Sequence, residues 1–336
     1  MVTMIGQETR EVERKITAIL QILSESATPL GSRTISKTLE QRGITLGERA
    51  VRYHLKIMDE KGLTRPVGHK DGRTITPSGL EELRNALVTD KIGFINSKIE
   101  RLAYQTNIGL RSGTGRTPVD ISLFDRKDFT HAVKVMSGII QSGLCSSSMV
   151  ALAGEGSKLG EITVPTGKVG FATICSVAVN GCLLKSGIPV HARFGGLLQF
   201  KSGQPHRFVD IIEFSGSTID PSDIFIAGKM TDILKTAVSG NGKVLAHYYE
   251  IPLLSAGKAD ELLERLRHSG LLGFAILSRP GEMLCEIPHN QDKVGLVTLS
   301  GLNPAAGAVE SGIPVTNYSM SCLLEVSRLR PFTELL

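Results

Sequence analysis

The sequence predicts a protein of the α+β / α/β class: an N-terminal winged helix-turn-helix followed by a pseudo-duplicated mixed α/β regulatory domain. Two observations carry this. About the first 90 residues read as three short amphipathic helices, a basic hairpin and a further helix, and a stretch of 23 residues in the second half recurs without a gap. Composition agrees, since 336 residues with 41% hydrophobic and 21% charged side chains is ordinary globular material for two or three domains. The expected boundaries are 1–88 for the first domain and 89–336 for the second, with the duplicated segments at about 127–200 and 258–326.

Glu11 to Ser24 places Val12, Ile16, Ile19, Leu20 and Leu23 on one helical stripe and stops at the breaker-rich "SESATPLGS". "SRTISKTLEQRG" sets Ile35 and Leu39 four apart and ends at Gly43, a residue suited to a left-handed cap. The third helix, in "GERAVRYHLKIMDEKG", packs Val51, Leu55 and Met58 and ends at Gly62. "LTRPVGHKDGRTITPSG" then alternates as a ribbon about an Asp71-Gly72 turn, and Pro77 opens the next helix.

In a winged helix-turn-helix the third helix enters the major groove and the ribbon flanks it on the backbone. Arg49, Arg52, Tyr53 and Lys56 form the stripe opposite the packed face of that helix, while Arg33 precedes it and Arg65, His69, Lys70 and Arg73 load the ribbon. From Arg33 to Arg73 bases outnumber acids two to one, which gathers much of the modest net charge of +5 in this segment. The expected DNA-binding set is Arg33, Arg49, Arg52, Tyr53, Lys56, Lys70 and Arg73, with double-stranded DNA as the partner. A basic stripe is also an ordinary solvated face, and winged helices also bind proteins; the ordered set of elements favours DNA.

The repeated stretch is "KVGFATICSVAVNGCLLKSGIPV" from Lys168 against "KVGLVTLSGLNPAAGAVESGIPV" from Lys293, 125 residues later. Upstream, "SGL" at Ser142 and at Ser269 each closes an amphipathic helix, Phe129 to Gln141 and Ala259 to Arg267. Two copies are too few for a solenoid, so a pseudo-symmetric domain is expected. Between the copies the pattern gives strands at Pro189 to Phe194, Leu197 to Phe200 and Arg207 to Phe214. A helix capped by Asp220-Pro221, an Asn241-Gly242 turn and a strand from Lys243 to Ile251 follow.

"LLKSGIPVHARFGGLLQF", "IIEFSGSTIDPSDIFI", "GKMTDIL" and "GNGKVLAHYYEIP", behind a winged helix, resemble the archaeal nitrogen-repressor family NrpR of methanogens. The resemblance covers essentially the whole chain and matches the short form with one regulatory domain. It implies a homodimeric repressor of nitrogen-assimilation genes that binds an inverted-repeat operator and is released by 2-oxoglutarate. A second regulator of the same family is a further candidate partner.

A dicarboxylate needs cationic donors or backbone amides at a glycine turn or helix start. Arg193 beside Gly195-Gly196, read as a turn, with Lys185 and His191 near in sequence, is one candidate set; Ser217 and Thr218 ahead of Asp220 are another. Gly195-Gly196 as a plain hairpin turn, Arg193 as a surface charge and the serine and threonine as caps are the structural readings of the same residues.

Catalysis and metal binding are not expected. The cysteines, Cys145, Cys175, Cys182, Cys285 and Cys322, are odd in number and lack a CxxC pair, and no HExxH, GxSxG or Walker sequence occurs. "RSGTGR" at Arg111 is similar to the glycine-rich loop of biotin ligases, which also carry a winged helix, but the chain has no Trp for their lysine-tryptophan motif. A bifunctional enzyme and repressor, or a regulator reading another metabolite or a partner protein, are the alternatives. No cofactor, no membrane span and a reducing cytoplasmic location are expected.

Overall fold

The computed structural model describes residues 2–26, 28–41, 44–67, 72–85, 94–110 and 112–335. The chain divides into two compact units, Met1–Lys91 and Ile92–Leu336.

The first unit is built from α1 (Val2–Ser24), α2 (Ser32–Gln41), α3 (Glu48–Glu60), β1 (Thr64–Pro66), β2 (Arg73–Ile75) and α4 (Pro77–Asn85). Ile19, Leu20, Ile35, Leu39, Val51 and Leu55 bury their side chains in one core, each contributing roughly 1.5–3 kcal/mol of transfer free energy. α1 extends well upstream of the expected start at Glu11. β1 and β2 are antiparallel, and Leu30 bridges to Arg73. The Val67 N–H donates to the Gly72 carbonyl at 2.9 Å, which extends the ribbon by one pair, and Asp71 of the expected Asp71-Gly72 turn lies outside the described residues. α4 starts as its sequence dictates: Pro77 stands in the first turn, and Thr76 Oγ1 accepts the Gly79 N–H at 3.0 Å.

The second unit runs α5 (Phe94–Gln105), β3 (Arg116–Asp125), α6 (Phe129–Gln141), β4 (Met149–Ala153), β5 (Lys158–Leu159), β6 (Ile162–Thr163), β7 (Lys168–Ile174), α7 (Val177–Lys185), β8 (His191–Lys201), β9 (Gln204–Glu213), α8 (Pro221–Ala227), α9 (Ile233–Ser239), β10 (Gly242–Pro252), α10 (Ala256–His268), β11 (Ala275–Leu277), β12 (Lys293–Leu299), α11 (Asn303–Glu310), β13 (Val315–Glu325) and β14 (Arg330–Pro331). Strand, helix, strand, strand, helix, strand is the order from β3 to β8, leaving aside the small β5–β6 hairpin, and again from β10 to β13. Both copies therefore begin one strand before the expected starts near 127 and 258. Lys243 to Ile251, read from sequence as a strand between the copies, is a strand and is the first one of the second copy.

The two five-stranded sheets have the orders β14-β4-β7-β3-β13 and β11-β12-β10-β8-β9. The last strand of each copy joins the sheet of the other: β8 pairs with β10, and β13 pairs with β3, all antiparallel. Val119, Ile121 and Ile174 of one sheet and Tyr249, Val294 and Leu296 of the other belong to one core, shared with α7 and α10. Phe124 and Phe171 on the opposite face of the first sheet pack with Met136 of α6 and Ala305 of α11. The SGL segments close α6 and α10 alike, with Gly143 at φ +75° and Gly270 at φ +74° in the left-handed region that glycine adopts at little cost.

Gly195 and Gly196 are not a turn. They lie inside β8, opposite His247 and Ala246 of β10, so the two strands expected on either side of them are one. Their lack of a side chain serves close packing: a Cβ at Gly195 would stand 2.8 Å from Pro221 Cβ, and one at Gly196 would stand 2.5 Å from the Asp210 carbonyl oxygen.

Candidate nucleic-acid interface and effector site

On α3 the buried stripe of Val51, His54, Leu55 and Met58 fixes the outward direction of the remaining residues. Arg49, Arg52, Tyr53 and Lys56 are all exposed, Tyr53 at 65%. Arg33 on α2 is exposed too and is brought to the same place by Glu48. Arg52 donates to Glu48 Oε1 at 2.8 Å, and Arg33 donates to Oε2 at 3.4 Å. Burial alone pushes the Glu48 carboxyl up, but the hydrogen bond and charge of Arg33, with the charge of Arg52, outweigh it and hold the group below its ordinary value. Glu48 thus steadies two of the expected DNA contacts while offsetting one positive charge. Sequence reading missed it, although an acid four residues before an arginine on a helix is a legible pair.

Arg73 departs from its expected role. Its Nε donates to Asp59 Oδ2 at 3.1 Å with both side chains about one-fifth exposed, so it ties the ribbon to α3 instead of facing outward. Arg65 remains exposed on β1. His69 and Lys70 lie outside the described residues.

In the regulatory unit, His191 and Arg193 of the expected ligand set come together on Glu250. Its side chain is 2% exposed, with Arg193 Nη1 at 2.5 Å, Lys293 Nζ at 3.0 Å and His191 Nδ1 at 3.7 Å. Burial pushes the Glu250 carboxyl up, and the hydrogen bond from Lys293 with the charges of Arg193 and Lys293 brings it net below its ordinary value. Three basic groups thus meet one carboxylate, and all three remain partly open to solvent. Lys293 was missed because it stands far from Arg193 in sequence; the β10–β12 pairing places Lys293 opposite Pro252, beside Glu250.

The other expected ligand residues are elsewhere. Lys185, in the last turn of α7, holds its Nζ 4.8 Å from the ring centroid of Tyr104. The Ser217 hydroxyl donates to the Ile219 carbonyl in a local turn, and Thr218 is half-buried. Asp220 caps α8 by accepting the Ser222 N–H at 2.8 Å.

A buried polar cluster that sequence reading did not identify sits where the copies meet. Asp120, Cys175, Ser176, Asp220, Ser222, His247, Tyr249 and Ser300 line a cavity of about 10 Å³. Ser176 Oγ lies 2.9 Å from His247 Nδ1, Ser222 Oγ lies 3.3 Å from His247 Nε2, and the Tyr249 hydroxyl donates to Ser176 at 3.1 Å. Burial lowers the His247 pKa, opposed by Asp220, so the imidazole is held neutral. The cavity has room for about one water, which rules it out as the seat of a dicarboxylate in this conformation. Among the described residues no group of three or more His, Cys, Asp or Glu could hold a metal ion, and no helix is long and apolar enough to cross a membrane.

Comparison with known proteins places this geometry. The profile of NrpR regulatory domains NRD1 and 2 matches residues 92–331, and that of the ribonuclease R winged-helix domain matches residues 17–83. The global nitrogen regulator NrpRI of Methanosarcina mazei is 37% identical over 95% of this chain and 98% of its own length. The global nitrogen regulator NrpR of Methanocaldococcus jannaschii is 32% identical over 95% of this chain and 55% of its own. A crystal structure of a nitrogen repressor-like protein from Methanococcus jannaschii shares the fold, with a TM-score of 0.60 at 24% identity over 70% of this chain and 97% of that one. From the extent and level of these matches, the chain belongs to the NrpR family.

Proposed function

We propose that this protein is a transcriptional repressor of nitrogen-assimilation genes that binds an inverted-repeat operator as a homodimer and is released by 2-oxoglutarate. One observation carries the reading: a winged-helix unit with exposed cations on α3 is joined in one chain to an NrpR regulatory domain, across nearly the full length of a global nitrogen regulator. The division of labour is DNA binding by residues 1–88 and sensing and dimerisation by 89–336, with a boundary among residues the structure does not describe. Arg49, Arg52 and Lys56 are the groups for base edges and phosphates, and the two α3 helices of a dimer would stand about 34 Å apart or a multiple of it. The work is done by binding and not by turnover, and the compartment is the cytoplasm.

For the effector, Arg193, Lys293 and His191 supply more positive charge than Glu250 cancels, which suits an incoming dicarboxylate. A ligand that prefers the conformation poor in DNA affinity shifts the population by its differential affinity, typically about 1–3 kcal/mol, and DNA must weaken ligand binding by the same factor.

The test is fluorescence anisotropy of labelled DNA from a nitrogen-assimilation promoter, with and without 2-oxoglutarate. Sequence-selective binding that Arg52→Ala abolishes and 2-oxoglutarate weakens is the expected result. Binding unchanged by Arg52→Ala removes the α3 assignment; binding indifferent to 2-oxoglutarate leaves a regulator with another signal.

A further inference from the structure

A second cavity, of about 210 Å³, opens between α5, α7 and β8. That is about twenty times the volume of the cavity at His247 and enough for a small metabolite. Its floor is apolar, with Ile99 and Ala103 buried, and its polar lining is Asn96, Glu100, Asn180 and His191. No Lys or Arg lines it.

Two of these residues are unfinished. The Oδ1 atoms of Asn96 and of Asn180 are buried and have no hydrogen-bond partner within the protein, and Asn180 as a whole is only 3% exposed. A buried carbonyl left unpaired is costly, so two lining one cavity from different helices call for a donor to complete them. The last bond of an asparagine side chain rotates softly, so either oxygen can turn to a donor held in the cavity. Glu100 adds an exposed carboxylate at the same wall.

We propose that this cavity is a binding site for a small metabolite bearing a primary amide or a protonated amine, with Asn96, Asn180 and Glu100 as acceptors. The chemistry is opposite to that of the Arg193–Lys293 cluster: acceptors outnumber cations here, and a carboxylate-only ligand gains nothing from them. A primary amide matches best, because a carboxamide facing a carboxamide exchanges a donor and an acceptor on each side. The site also braces α5 against α7, and α5 is the first described element of the regulatory unit.

The test is calorimetric titration of L-glutamine, which carries both an ammonium and a primary amide, into the full chain. L-Asparagine and ammonium chloride are further donor-bearing probes, and glutarate is the donor-free comparator. Saturable binding of L-glutamine, absent for glutarate and weakened at least tenfold by Asn180→Leu, is the expected outcome. Asn180→Leu should retain or raise the melting temperature, since it removes an unpaired buried oxygen. Should that variant fail to fold, Glu100→Gln on the exposed wall decides, with a several-fold loss of L-glutamine affinity expected. No saturable binding of any of the three donor-bearing probes overturns the proposal, as does L-glutamine affinity unchanged in whichever of the two variants is folded. Neither result depends on 2-oxoglutarate or DNA, so the repressor reading stands or falls separately.

Discussion

Asp120 and His247 stand at matching places in the two copies: Asp120 faces Thr173 across β3 and β7, and His247 faces Thr298 across β10 and β12. The strand that each copy receives from the other meets them differently. Gly195 of β8 lies opposite His247 and leaves room for Pro221, whereas β13 bulges at Met320, φ +45°, whose N–H donates to Asp120 Oδ1 at 2.7 Å. One position thus became a neutral base with both nitrogens engaged, and the other a buried acid.

That acid makes stability depend on pH. Burial, aided by the charges of Asp220 and Asp223, pushes the Asp120 carboxyl up to about 7 despite the Met320 hydrogen bond. From about pH 4, where an unfolded aspartate releases its proton, up to about pH 7, the folded chain holds a proton that the unfolded chain has lost. This contribution to stability therefore falls as pH rises through that window and is level above it. Asp120→Asn should flatten the slope, leaving only the smaller share of Asp223, which burial raises to about 6, and the variant should be more stable than wild type at pH 8 by on the order of 2–4 kcal/mol and nearer to it at pH 4. Urea unfolding at the two pH values checks this, and parallel slopes in the two proteins would refute it.

Glu48→Gln should strengthen DNA binding. The substitution frees Arg52 and Arg33 from their shared carboxylate. If Arg52 then reaches a phosphate, the plot of log affinity against log salt should steepen by about one unit. Anisotropy across a salt series measures it, and an unchanged slope would show that the carboxylate does not restrain these arginines.

Two glycines should respond to alanine with opposite signs. At Gly195 the added methyl meets Pro221 at 2.8 Å and His247 at 3.2 Å, so Gly195→Ala should cost about 1–3 kcal/mol through overpacking. At Gly138, inside α6, a Cβ meets nothing within 4 Å, so Gly138→Ala should gain about 0.5–1 kcal/mol from helix propensity. Denaturant midpoints decide between these signs.

Arg193→Ala removes a charged hydrogen bond to a buried carboxylate and should lower stability by about 1–3 kcal/mol, since Lys293 keeps Glu250 partly paired. Response to 2-oxoglutarate should weaken while DNA affinity without effector stays as in wild type. A normal effector response would take Arg193 out of the effector site.

How legible these features were follows from how local they are. The winged-helix elements came from short-range periodicity and caps, as at Pro77 and Gly62. Recurrence of "SGIPV" exposed the duplication because the copies keep one spacing. Strand exchange left no such trace, since which sheet receives β8 is decided by pairing across some fifty residues to β10. Gly195-Gly196 was misread as a turn because glycine serves a bend and a close approach alike. Asp120 and His247 were overlooked in "VDISLF" and "LAHYYE", though an ionisable group within a mostly apolar strand signals a buried, partnered site. Asn96 and Asn180 had no signal at all, because an unmet carbonyl is a property of surroundings.

The exchange of β8 and β13 means that neither copy is a complete folding unit. A half-length chain would present an open sheet edge beside β3 and a strand with no sheet of its own. Two such chains would cure each other by trading strands, as a swapped dimer does. Here both halves lie on one polypeptide, where the segment from β9 through α9 serves as the tether and replaces encounter in solution with a fixed effective concentration. On one polypeptide the halves need not be identical, and one carries a histidine where its twin carries an acid.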